Sequence, residues 1–248
     1  FDSDEGYQGK GQFLFAMTGE DGNHGTEMDS KTGGNLNSQP RSHPAFYSMT
    51  ILGGGSAASG ANADGLMRLR EGTGGSFGNV ILANAQGQHV GVEIKDCGAE
   101  LQTQELQTPA VSIGTTGNSD SGYLYFSSKN VIDTPSSAFT FDTANGCTQQ
   151  SWTSVNAAVG FTGSFIETGT NRIDPRPSCG SAAYTDIQAL PGSATGTPVA
   201  FYDEVSYKGA FGNENWLAGW SYLAVTNRLA THEVLCAPVA ASSGIPAW

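Results

Sequence analysis

Gly25-Thr-Glu-Met-Asp29 is the first of three short segments that share one pattern, and it is followed by Met67-Arg-Leu-Arg70 and Val92-Glu-Ile-Lys95. In each segment charged and uncharged side chains alternate, which is typical of a β-strand with one face on a core. The overlay directs one set of side chains inward: Thr26, Met28, Met67, Leu69, Val92 and Ile94. The charged side chains then form two outward ladders, Glu27–Arg68–Glu93 and Asp29–Arg70–Lys95.

A second, more apolar segment recurs between these charged strands. Phe46-Tyr-Ser-Met-Thr-Ile-Leu52 overlays Ser76-Phe-Gly-Asn-Val-Ile-Leu82, residue for residue. Two strands that return in the same order indicate successive coils of a solenoid. An antiparallel sandwich would need tight hairpins between neighbouring strands, and the connections here are longer and irregular. The sequence therefore predicts an all-β chain, a right-handed parallel β-helix with an irregular C-terminal cap.

The pattern divides the chain into two regions. Residues 1–160 are predicted to form the coils, with a long excursion around residues 98–122 and one more coil over residues 123–133. Residues 161–248 change character: Asp174-Pro-Arg-Pro177 is expected to be extended because of its prolines. The aromatic stretch over residues 207–220 is expected to cover the open end of the β-helix, where unpaired strand edges need protection.

Composition and charge exclude several classes of function. The 248 residues carry a formal net charge of -12, which argues against nucleic acid as a partner because phosphates require neutralising cations. The sequence has no apolar run long enough to span a membrane. It begins at Phe1 without a signal peptide, which predicts a processed or truncated chain.

The four cysteines, Cys97, Cys147, Cys179 and Cys236, match no zinc-binding spacing. An even number in a Gly-rich and Ser-rich chain favours two disulfides and an oxidising compartment. Three pairings are open, with four free buried thiols as a further alternative. We favour Cys97–Cys147 and Cys179–Cys236, which close two successive loops.

Several stretches resemble a family of large surface proteins of Gram-negative bacteria. Members carry a right-handed β-helix and are often described as hypothetical or as bearing a type IX secretion signal. The stretches that carry the resemblance are residues 4–12, 25–29, 69–73, 174–182, 207–211 and 216–220. The resemblance implies that this chain is the C-terminal half of a longer solenoid at the bacterial surface. No sorting domain follows Trp220, and the family supplies no activity for particular residues.

Candidate sites were weighed against simpler structural roles. Two acidic loops have the oxygen-rich composition that suits Ca²⁺, although solvated turns are the simpler interpretation: Asp2, Asp4 and Glu5, and Glu20, Asp21 and Asn23. The outward ladders supply carboxylates beside arginines, as an enzyme that cleaves polysaccharides requires, although solvation of an exposed face is the favoured interpretation of these charges. Several aromatic residues are candidates for stacking on sugars, although packing in the core or cap is the favoured interpretation for each: Tyr123, Tyr125, Trp152, Trp216 and Trp220.

The sequence favours a non-enzymatic extracellular protein that presents a rigid solenoid and assembles with itself or with other envelope proteins. The alternative is a polysaccharide lyase, a hydrolase or a glycan-binding module that uses the outer face. The first hypothesis depends on the repeat scaffold and on the lack of a complete catalytic constellation in the sequence.

Overall fold

A computed structural model of the chain describes residues 1–19, 24–30, 40–53, 65–85, 90–97, 124–134, 137–161, 172–191 and 201–230, and the backbone of residues 105–106. The described residues are dominated by β-strands. Helical structure among them comprises one short α-helix, α1 (Tyr222–Val225), and two 3₁₀ turns, Thr143–Asn145 and Ala182–Tyr184. The all-β class predicted from the sequence is therefore confirmed. No helix in this part of the chain has the length and hydrophobicity needed to cross a membrane.

The strands lie parallel to their neighbours in two sheets, and the chain passes repeatedly from one sheet to the other. The first sheet has the order β1 (Asp2–Ser3), β3 (Thr26–Met28), β5 (Gly65–Arg70), β8 (Val90–Lys95) and β12 (Phe139–Phe141). The second sheet contains β2 (Lys10–Met17), β4 (Ala45–Leu52), β6 (Gly75–Gly78), β7 (Ile81–Ala83), β9 (Glu105–Leu106), β10 (Leu124–Phe126) and β11 (Val131–Asp133).

The register of the first sheet is the one predicted from the repeat. Glu27 lies beside Arg68, and Arg68 lies beside Glu93. Arg70 likewise lies beside Lys95. The inward side chains are buried in one core, because the period of two places every second residue on the same face. These residues are Thr26, Met28, Met67, Leu69, Val92 and Ile94.

The predicted register of the second sheet is wrong by one residue. Phe46 lies beside Phe77, and Ile51 lies beside Leu82, so Phe46 does not pair with Ser76. A shift of one residue would turn every side chain to the opposite face of the sheet. The observed register instead stacks apolar residues inside the core, with the rings of Phe46 and Phe77 6.3 Å apart in an edge-to-face arrangement.

A corner divides the second sheet into two parts. Phe13, Ser48 and Asn79 have positive φ angles of 57°, 54° and 54°, and they occupy successive places along the register. Left-handed backbone is uncommon for residues other than glycine. Three such residues in neighbouring strands therefore mark a bend that the strands share. Strand β4 runs through this bend without a break, whereas the next turn of the chain is divided there into β6 and β7. The bend turns Phe13 away from the core.

Two strands lie within residues 123–133, where one more coil was predicted, and an unpredicted strand, β12, follows them. Leu124–Phe126 and Val131–Asp133 join the second sheet, whereas β12 then adds to the first sheet beside β8. The predicted excursion over residues 98–122 lies outside the described residues, apart from β9. Trp152 stacks on Phe126 and packs edge-on against both Phe139 and Phe141.

The C-terminal region lies in a different place from the predicted cap. Its described residues pack against the outward face of the second sheet rather than over an open end. The ring centres of Phe211 and Phe15 are 5.0 Å apart, and those of Tyr202 and Tyr47 are 5.1 Å apart. This face is apolar on its outer side as well, so it must be covered to keep it from water. Trp152, which precedes the C-terminal region, packs against the main core, and the packing favoured for it from the sequence is confirmed.

The predicted disulfide Cys97–Cys147 is present. It joins the residue just beyond β8 to the loop that follows β12, and both cysteines are buried in the main core. Cys179 is also disulfide-bonded. The second predicted pair includes Cys236, which lies outside the described residues.

Candidate functional site

The outward ladders of the first sheet form a dense network of ion pairs, which we call the charged face: Glu27, Asp29, Arg68, Arg70, Glu93 and Lys95. Arg70 binds Asp29 through two hydrogen bonds of 2.9 and 3.1 Å and reaches Glu27 at 2.9 Å. Arg68 binds Glu93 at 2.8 Å. The predicted alternation of charge along the coils therefore produces cross-strand pairs.

The carboxylates of the charged face differ in their affinity for protons. Burial, opposed by the hydrogen bond and charge of Arg70 and reinforced by Glu27 and Glu71, raises the pKa of Asp29 from 3.8 to about 6. Burial acts in the same direction on Glu27, but the His24 hydrogen bond and the two arginines outweigh it and lower the pKa of Glu27. The guanidinium of Arg70 thus pairs with both Glu27 and Asp29. Of these two carboxylates, the more buried one, Asp29, has the higher pKa and is protonated more easily.

The raised pKa of Asp29 predicts that mild acid stabilises the fold. The folded protein binds this proton more tightly than the unfolded chain, so the stabilisation is complete below pH 4 and is lost as the pH rises through 6. We expect the free energy of unfolding of the native chain, relative to that of an Asp29→Asn variant, to rise by about 1–3 kcal/mol between pH 7 and pH 4. Urea titrations of both proteins at several pH values measure this difference. A constant difference across that range would contradict the prediction.

The predicted calcium loops gain no structural support as a pair. Glu20, Asp21 and Asn23 lie outside the described residues. In the other loop, the Asp4 carboxylate accepts the backbone N–H of Glu5 at 2.7 Å, which is the role of a turn residue. Within the described ranges, no group of three or more His, Cys, Asp or Glu side chains is placed to hold a metal ion. Calcium binding stays a prediction.

The exposed aromatic candidates separate into two groups. Tyr125 is buried, with its hydroxyl bonded to Gln188, and Trp152 packs in the core. Trp216 and Trp220 are 36% and 66% exposed. Tyr123 lies outside the described residues. Stacking on sugars is therefore open to the two C-terminal tryptophans and closed to Tyr125.

Beside these tryptophans lies a cleft of about 540 Å³, which we call the aromatic cleft. Its lining is Phe13, Tyr207, Gly212, Asn213, Glu214 and Trp216. The rings of Phe13 and Tyr207 are 6.3 Å apart. Phe13 comes from the left-handed corner of β2, so the bend of the second sheet supplies one wall. A concave, mainly apolar site with a few polar groups is the usual form of a small-molecule site.

Three rings lie almost parallel beside the cleft and form what we call the aromatic stack: Phe211, Trp216 and Trp220. Phe211 and Trp216 are 5.0 Å apart with 13° between their planes, and Trp216 and Trp220 are 6.1 Å apart with 9°. The indole N–H of Trp216 donates to the carbonyl of Ala210, and that of Trp220 donates to the carbonyl of Trp216. The stack runs from a buried ring to an exposed one, and these hydrogen bonds fix its orientation.

The extended Asp174-Pro-Arg-Pro177 segment holds the loop that carries the cleft. Arg176 is fully buried, pairs with Asp174 at 2.7 Å, and donates to the carbonyl of Asn213 at 2.8 Å. Gly209 adopts a positive φ of 82° where the loop meets the sheet, and a Cβ there would lie 2.5 Å from the Thr50 hydroxyl. The loop is thereby fixed against the second sheet at both points, and the cleft is largely pre-formed.

The charged residue that lines the aromatic cleft is Glu214, a carboxylate. Burial raises the pKa of the Tyr207 hydroxyl, and the charges of Glu214 and Asp203 raise it further. Lys208 follows Tyr207 directly in the chain but is fully buried, so its amine does not reach the surface. The cleft therefore combines apolar ring surface with exposed carboxylate charge.

The structure defines a protein of parallel β-sheets in which one outer face carries ion pairs and the other carries an aromatic cleft. Over residues 1–157 the sequence matches the family described as a pectate-lyase like beta helix domain. Because the match covers more than half of the 248 residues, the chain belongs to this family. No curated protein and no solved structure shows a significant match.

The sequence singled out none of four cleft residues as candidates for a site: Phe13, Tyr207, Asn213 and Glu214. Phe13 is part of an apolar strand pattern, and Tyr207 was assigned only to the predicted cap. Nothing in either local pattern indicates that the two rings meet. A signal was present in Trp216 and Trp220, since aromatic residues with Gly between them are unusual in a strand-rich chain.

Proposed function

We propose that this protein is an extracellular glycan-binding protein whose ligand site is the aromatic cleft together with the outer ring of the aromatic stack. The observation that carries the proposal is the parallel arrangement of Phe211, Trp216 and Trp220 beside the cleft. The stack leaves the outer face of Trp220 free beside a pre-formed concave site, and such a flat face matches the apolar face of a pyranose ring. Membership of a family related to pectate lyases supports a carbohydrate ligand.

We prefer binding to catalysis because of how the charged face is arranged. Glu27 and Asp29 are both held by Arg70, and the side chain of Asp29 is only 6% exposed. A carboxylate used for acid–base work must reach the bond that it cleaves. Because these charges already pair with one another, they are less available to bind a polar partner. The charged face is best explained as a set of ion pairs that stabilises the sheet. A structural role in assembly stays a prediction.

Compartment and winding are part of the proposal. The Cys97–Cys147 disulfide supports an oxidising, extracellular location, because such bonds seldom persist in the cytosol. Alternation of the chain between two parallel sheets supports a right-handed solenoid, the hand that parallel crossovers almost always take. A bacterial surface location in Gram-negative species is proposed from the resemblance alone.

A Trp220→Ala variant tests the proposed site. Titration of neutral hexasaccharides of glucose, xylose and N-acetylglucosamine should show binding by the native chain, followed by a loss of about tenfold or more in the variant. Trp220 is two-thirds exposed, so its removal should leave the fold intact. Tyr7→Ala is the matched control, because Tyr7 is also an exposed aromatic residue but belongs neither to the cleft lining nor to the aromatic stack. Equal losses in both variants, or no binding by the native chain to these neutral sugars or to charged sugars, would overturn the proposal.

A further inference from the structure

The charge of the aromatic cleft bears on the class of sugar that it accepts. Glu214 lines the cleft, and the segment around it exposes two further carboxylates, Asp203 and Glu204. The sole cation of residues 201–220 is Lys208, which is buried. A uronic acid bound in this cleft would place one carboxylate beside others, with no exposed cation of the segment to compensate.

The lining also presents hydrogen-bond acceptors. The Oδ1 atom of Asn213 is buried and accepts no hydrogen bond from the residues that the structure describes. Its neighbour Glu214 is exposed and supplies a carboxylate acceptor to the lining of the cleft. A ligand that meets this carboxylate must supply N–H or O–H donors. A protonated amine is the strongest such donor, because its hydrogen bonds are assisted by charge.

The aromatic rings favour the same class of ligand. The face of an aromatic ring carries a negative quadrupole, which attracts a cation placed within about 6 Å of its centre. Phe13 and Tyr207 line the cleft together with Glu214, whereas the faces of Trp216 are covered by Phe211 and Trp220. Rings grouped around a carboxylate stabilise an ammonium group more than they stabilise a neutral hydroxyl.

We infer that the aromatic cleft binds amino sugars with a free, protonated amine, such as a glucosamine chain, in preference to neutral sugars and to uronic acids. The inference rests on the proposed glycan-binding function and names the ligand class of that site. The apolar faces of the pyranose rings contact the aromatic side chains, and the ammonium group pairs with Glu214. Galacturonate chains are rejected because the cleft repels their carboxylates.

Four hexasaccharides test the inference by calorimetric titration of the full chain: glucosamine, N-acetylglucosamine, glucose and galacturonate. The glucosamine chain should bind about tenfold more tightly than its acetylated counterpart, which has the same ring skeleton but no charge. Raising the salt concentration from about 20 mM to about 500 mM should reduce this preference, since exposed charges are screened. Galacturonate should bind most weakly.

Glu214→Gln should reduce the preference for the glucosamine chain to about threefold or less, because binding of the charged chain falls more than binding of the acetylated chain. Glu204→Gln is the matched control, since Glu204 is an exposed carboxylate of the same segment that does not line the cleft. Equal affinity for the charged and acetylated chains, tight binding of galacturonate, or equal losses in both variants would overturn the inference and leave glycan binding standing. If none of the four sugars binds the native chain, the proposed function itself fails.

Discussion

Replacing both Cys97 and Cys147 by alanine will lower the free energy of unfolding by about 4 kcal/mol. The bond closes a loop with a sequence separation of 50 residues, and a crosslink of that span restricts the unfolded chain by about this amount. In the folded protein it joins the end of β8 to the loop after β12, which are neighbours in the first sheet. The bond therefore acts mainly on the unfolded state.

Urea unfolding of the native and double-alanine chains under oxidising conditions measures the loss. Reducing agent is the control: it should destabilise the native chain by at least as much, and the double variant further, because Cys179 is also disulfide-bonded. A loss below about 1 kcal/mol would contradict the prediction and would show that the unfolded chain is already constrained.

Arg70→Met is expected to cost about 3 kcal/mol at neutral pH, near the lower limit for removing one partner of a buried ion pair. Arg70 is the guanidinium shared by Asp29 and Glu27, and its loss leaves both carboxylates without their closest cation. The side chain of Arg70 is 24% exposed, which is why the expected cost is not larger. Methionine keeps much of the length and apolar stem of the side chain.

Lys95→Met is the matched control, because it removes the same charge from the next position of the same ladder. We expect it to cost less than about 1 kcal/mol, as is usual for a surface charge. Combining Arg70→Met with Asp29→Asn should recover part of the loss, since the buried carboxylate is then absent. Equal effects of the two methionine variants in urea unfolding would argue against a special role for Arg70.

The two sheets differ in how well their register can be predicted. Along β3, β5 and β8 every second side chain is charged, so a shift of one residue would bury Arg68 or Glu93, which is costly. The overlay of these strands is therefore unambiguous. Phe46 to Leu52 is apolar on both faces, because the C-terminal region covers the outer side. Without an alternating pattern, two overlays that differ by one residue match apolar residues almost equally well. The corner at Ser48 disturbs the alternation further.

The prediction of a cap failed for a related reason. Aromatic residues and glycines in residues 207–220 indicate a buried surface, but they do not indicate which one. Phe15 and Thr50 on the outer side of the second sheet provide the contacts that place this segment. Those contacts join residues far apart in the chain, and no local periodicity records them.

The sequence by itself determined the strand class and the faces and register of the first sheet, because alternation with a period of two and the cost of burying charge act locally. It favoured the Cys97–Cys147 disulfide among several open pairings, and the structure decided that pairing. Only the tertiary structure decided where the aromatic cleft lies. Phe13 is turned outward by a left-handed corner, and Tyr207 and Trp216 are brought to it by a loop that Arg176 holds. Such a site depends on packing between distant segments, and side-chain patterns along one strand contain no information about that packing.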